Sequence, residues 1–73
     1  MITVYGKDVC PDCKSIVKFL TQHNVDHQYL LVGKDVTKED VDSVTGRDVR
    51  SVPVCILDGT EVTVPALRDS VIA

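Results

Sequence analysis

The chain has 73 residues, 44% of them hydrophobic, with eight basic and eleven acidic side chains for a net charge of -3. That length fits one domain over residues 1–73, and a domain of this size buries only roughly 60% of the surface its unfolded chain exposes, so nearly every apolar side chain is needed for packing. The charges are interspersed without a basic cluster and the longest apolar run is a few residues, where a membrane span needs about 20; both nucleic acid and membrane are argued against as partners.

Residues 2–5 are rich in strand formers and stop at Gly6, which predicts a first strand leading through Lys7-Asp8-Val9 to Cys10. Pro11 suits the first turn of a helix, where its missing N–H is no loss. Cys13, Ile16, Val17 and Leu20 then follow at helical spacing, with Lys14, Ser15, Lys18, Thr21 and Gln22 on the other face. This helix is expected to run to about His23 or Asn24. A second strand is expected over about 27–32, ending at Gly33.

Thr37 is placed to cap a short second helix, with Glu39 and Asp40 in its first turn, Val36 and Val41 in staple positions, Val44 continuing the apolar stripe and Gly46 as C-cap. Residues 54–57 read as a buried strand and Asp58-Gly59 as a tight turn. Residues 61–64 alternate like a hairpin partner, and Pro65 opens a last helix carrying Leu67 and Val71. The resulting order, β-α-β-α-β-β-α, is an α/β domain with a four-stranded mixed sheet flanked by helices.

Three cysteines is an odd number, and two of them stand together as Cys10-Pro11-Asp12-Cys13. A disulfide scaffold would show an even number spread along the chain; a close pair at a helix start suggests redox chemistry. The helix N-terminus presents unpaired N–H groups and partial positive charge to Cys10, favouring negative charge on its sulfur, while Cys13 lies a turn further in. Cys10 is therefore the expected attacking thiolate and Cys13 the resolving thiol. Lys7 and Lys14 support charge on the sulfur and Asp8 and Asp12 oppose it, over the roughly 8–10 Å that ionic screening leaves.

The same spacing also occurs as half of a zinc site, but no second Cys or His pair complements it, and no metal is expected. A metal module, either zinc on Cys10, Cys13 and Cys55 or a cluster shared between two chains, is the alternative from a different class. Cys55 reads as a small core hydrophobe, His23 and His27 as helix-end or surface residues, and Tyr5 as packing. Met1 leads directly into Ile2-Thr3-Val4-Tyr5 with no leader pattern, so a cytoplasmic location is expected, and a monomer.

Over essentially its whole length the sequence resembles the glutaredoxins, within the thioredoxin fold. The resemblance is carried by Val4-Tyr5-Gly6-Lys7 before Cys10-Pro11-Asp12-Cys13, and by Arg50-Ser51-Val52-Pro53, similar to the family's Thr-Val-Pro segment before its third strand. It implies a cis Pro53 facing the active site, with the Val52 backbone open to a substrate's main chain, and glutathione carboxylate contacts from Lys7 and Arg50. It also implies substrate contacts from Pro11 and Asp12 and from Thr63 and Val64, no bound cofactor, and glutathione as reductant. Expected partners are disulfide-containing proteins, with ribonucleotide reductase as a candidate acceptor.

Two departures stand out. The glycine pair that usually ends the family's fourth strand is replaced by Val62-Thr63-Val64-Pro65-Ala66, and Asp12 stands where the motif usually has Tyr. They open a second redox reading, a small redoxin recharged by thioredoxin reductase rather than by glutathione, although Thr63-Val64-Pro65-Ala66-Leu67-Arg68 does not reproduce the Ser-Gly-Phe-Arg-Pro signature of those redoxins.

Overall fold

In a computed structural model describing residues 1–73, the elements run β1 (Ile2–Gly6), α1 (Pro11–Gln22), β2 (His27–Leu31), α2 (Lys38–Thr45), β3 (Val54–Leu57), β4 (Thr60–Val62) and α3 (Val64–Ile72). The strands form one mixed sheet in the order β2-β1-β3-β4. β1 pairs in parallel with β2, Ile2 opposite His27 through Gly6 opposite Leu31, and antiparallel with β3, Ile2 opposite Leu57 through Tyr5 opposite Val54. Asp58 and Gly59, both at positive φ (50° and 85°), make the tight β3–β4 turn, the backbone that a two-residue hairpin between right-twisted strands requires.

Both faces of the central strands are covered, which explains why they read as nearly continuous apolar runs. Ile2 and Val4 of β1 and Cys55 of β3 pack with Ile16 and Leu20 of α1 and Leu67 of α3. On the other face Tyr5, Val54 and Ile56 pack with Val41 of α2 and with Val49. Val36 packs against this second cluster, as its staple position predicts, and Thr37 and Asp40 exchange the two hydrogen bonds of a capping box.

Strand direction brings several ends together. The carboxyl ends of β1 and β2, the start of β3, the end of β4 and the N-termini of all three helices meet at one end of the sheet, and Cys10 is delivered there. His23 and His27 lie at the opposite end, where their rings bond the Phe19 and Val25 carbonyls.

Several boundaries differ from the sequence reading, with β1 reaching Gly6, β4 beginning at Thr60 and α3 at Val64. α1 ends at Gln22 with His23 as C-cap. β2 stops at Leu31, although Val32 still donates to the Gly6 carbonyl at 2.8 Å before the chain turns. β4 ends at Val62 rather than 64. In the β3–β4 register Val64 would face Pro53, which has no N–H for the ladder, and Thr63 instead caps α3, its hydroxyl accepting the Ala66 N–H at 3.2 Å.

Candidate active site

Cys10 is the N-cap of α1. Its backbone is extended (φ -107°, ψ 106°), and its sulfur accepts the Cys13 N–H at 3.2 Å, replacing the side-chain oxygen usual at this position. Pro11 begins the helix without needing a donor, and Asp12 places an acid in the first turn, where the helix dipole favours one. The Cys10 N–H donates to the Lys7 carbonyl at 3.3 Å, closing the loop that carries it. Cys10 is half-buried and Cys13 completely buried, the asymmetry expected of the pair.

Burial is the main reason that the Cys13 thiol is pushed up to about 11; its hydrogen bond with Cys10 and the charges of Cys10 and Asp12 act the same way, against a backbone hydrogen bond from Lys7. Gly6 is what lets Cys13 sit so deep. A Cβ on Gly6 would lie 2.8 Å from the Cys13 sulfur and 2.8 Å from Cε1 of Tyr29. The Tyr29 hydroxyl donates to the Lys7 carbonyl at 3.3 Å, so the ring lies against the strand end and its oxygen holds the loop. Burial raises the Tyr29 pKa, and the nearby Cys13, Cys10 and Asp8 add to the rise. Neither role was visible in the sequence, because one depends on α1 packing against the end of β1 and the other on the parallel register that sets β2 beside it.

The Val52–Pro53 bond is cis, as the resemblance implied, and the Val52 carbonyl stands 4.0 Å from the Cys10 sulfur. From there a groove of about 500 Å³ extends toward α2, lined by Lys7, Val32, Lys38, Val49, Arg50 and Val52 among others. Three of the predicted residues, Lys7, Arg50 and Val52, thus converge. Pro11 and Asp12 are exposed beside Cys10, while Thr63 and Val64 share this end of the sheet without lining the groove.

Lys38 was not singled out from the sequence, and the groove contains it. Its ammonium donates to Asp42 at 2.7 Å and to Asp48 at 2.5 Å, while Arg50 Nε donates to Asp48 at 3.1 Å. Lys38 holds the Asp42 and Asp48 carboxyls below the usual carboxylate range, with the Val49 N–H assisting at Asp42 and Arg50 at Asp48. Lys7 makes no ion pair.

Cys55 lies in β3 opposite Val4 and Val62, part of the core, with burial raising its pKa. It is not joined to the cysteine pair, and no three His, Cys, Asp or Glu side chains converge as metal ligands. Tyr5 is packed in the second cluster. No helix is long and apolar enough to cross a membrane.

With this geometry in place, the comparison with protein families is decisive: the glutaredoxin model matches residues 2–62. The chain belongs to the glutaredoxin family. Among solved structures it is similar to the glutaredoxin grx-1 of Archaeoglobus fulgidus, with 26% identity and a TM-score of 0.68 over 93% of this chain and 82% of that one. It is also similar to the thioredoxin-like protein BC3987, with 28% identity and a TM-score of 0.74 over 94% of this chain and 97% of that one. A mutant of the latter gives 26% identity and a TM-score of 0.75 over the full length of both chains. No curated protein sequence matches at a significant level. Family and fold together assign thiol-disulfide oxidoreductase chemistry, with disulfides as substrates and a reductant partner.

Proposed function

We propose that the protein reduces protein disulfides and glutathione mixed disulfides in the cytoplasm, as a monomer, with Cys10 as nucleophile, Cys13 as resolving thiol and glutathione as reductant. The observation that carries this reading is the asymmetry of the pair: a half-buried sulfur at a helix N-terminus beside a buried one. The Cys10 thiolate attacks a substrate disulfide, forming a mixed disulfide and expelling one substrate thiolate. Cys13 gives up its proton and attacks Cys10, releasing the second substrate thiolate and leaving a Cys10–Cys13 disulfide. Two glutathione molecules then restore both thiols and leave as glutathione disulfide.

Burial is the main reason that Cys13 stays protonated in the resting pair; forming the mixed disulfide takes away the smaller contribution that a charge on Cys10 makes in the same direction. Val52 lies outside the sheet ladder next to Cys10, which suits it to align a substrate backbone. The groove supports glutathione binding through Lys7 and Arg50, joined by Lys38, as counterions for its carboxylates. Pro11, Asp12, Thr63 and Val64 border the surface that a protein disulfide would cover. Ribonucleotide reductase is one acceptor this chemistry would serve.

A redoxin recharged by thioredoxin reductase is the second reading. It is favoured by the likeness to a thioredoxin-like protein over 97% of that chain, and by the absence of the glycine pair after β4. NADPH consumption with a disulfide substrate separates the two. Turnover with glutathione and glutathione reductase, reduced by Lys7→Ala and Arg50→Ala, is expected; turnover only with thioredoxin reductase would overturn glutathione as reductant.

A further inference from the structure

The groove beside Cys10 already contains an anion. Asp48 accepts from Lys38 through Oδ1 at 2.5 Å and from Arg50 through Oδ2 at 3.1 Å, and all three residues line the groove. Its neighbour in the network behaves differently: Asp42 also accepts the Val49 N–H at 2.9 Å and so ties α2 to the following loop. Asp48 accepts from no backbone N–H, so all its hydrogen bonds go to groove cations. The side chains of Asp48 and Arg50 are 56% and 86% exposed. Pairs this open to solvent exchange partners at small cost, so a ligand carboxylate can compete for these cations.

We propose that Asp48 is a specificity-determining residue that competes with the carboxylates of a bound thiol for Lys38 and Arg50. This rests on the reading of the groove as the seat of glutathione. A ligand with two carboxylates meets one unpaired cation, Lys7, and two that are already neutralised. Its second carboxylate must displace Asp48 and then remain near it, at a cost in like-charge repulsion. A protein disulfide, which docks through its backbone and needs no such carboxylates, escapes this penalty. Asp48 therefore shifts the site away from glutathione and toward protein substrates.

The test is titration of wild type and Asp48→Asn with S-methylglutathione, which keeps both carboxylates but cannot exchange thiols, followed by calorimetry at two salt concentrations. Asp48→Asn should bind about two- to fivefold tighter, the scale set by exposed ion pairs, and lose more affinity on adding salt. Asp48→Ser, with its melting temperature recorded beside wild type, should show the same gain. If wild type binds and both variants bind equally or more weakly, Asp48 organises the cations rather than competing for them and the proposal is overturned while the glutathione reading stands. Absence of binding by all three proteins overturns both.

Discussion

The Cys13 N–H donates to the Cys10 sulfur at 3.2 Å, so one thiol of the pair caps the helix that buries the other. The hydrogen bond satisfies an orphan helix donor and places a donor at the sulfur that carries the negative charge as the attacking thiolate. Capping and redox chemistry thus use the same contact.

The difference in burial makes the three thiols distinguishable. Cys10 is half-buried, whereas Cys13 and Cys55 are 0% and 1% exposed. Brief treatment of the reduced native protein with iodoacetamide should modify Cys10 alone, with the other two reacting only after unfolding. Peptide mapping checks this; comparable labelling of Cys13 or Cys55 in the native state would contradict the assignment.

Gly6→Ala should destabilise the protein by about 1–3 kcal/mol, the usual cost of overfilling a packed site. The new methyl carbon would sit 2.8 Å from the Cys13 sulfur, 2.8 Å from the Tyr29 ring and 2.9 Å from the Cys13 Cβ, all inside contact distance. Urea unfolding measures the change. A variant as stable as wild type would mean that Cys13 and Tyr29 withdraw freely and that Gly6 does not define the site.

Stability should fall on the alkaline side because of Cys13. Its pKa rises from 9.0 in the unfolded chain to about 11 in the fold, chiefly through burial. Below pH 9 both states keep the proton and the contribution is fully present. As pH rises toward 11 the unfolded chain ionises first, and the contribution is lost. At about 1.4 kcal/mol per pH unit, the full loss is about 2–3 kcal/mol. Cys13→Ser has no such titration, so the stability gap between the two reduced proteins should change across this window. Parallel stability curves would sink the claim.

Much of this was legible because local chemistry and tertiary context agree. Pro11 after Cys10, the Thr37 cap, the Val36–Val41 staple and Asp58-Gly59 each fix a boundary through backbone requirements, and the structure keeps them. Residues 61–64 misled because their alternation is truly strand-like; Pro53, just before β3, has no N–H to extend the ladder, and Thr63, two residues before Pro65, serves as the α3 cap instead. Lys38, Asp48 and Tyr29 were out of reach for a related reason. The Lys38–Asp48 and Tyr29–Lys7 contacts span 10 and 22 positions and exist only once α2 and β2 have docked.

The central claim, that Cys10 attacks and Cys13 resolves, is tested most directly by Cys13→Ser incubated with glutathione disulfide and weighed intact under non-reducing conditions. The predicted result is one glutathione adduct per chain, mapped to Cys10, that persists because no resolving thiol remains. A folded Cys13→Ser protein that forms no adduct at Cys10, together with a Cys10→Ser variant that keeps full reductase activity, would contradict it.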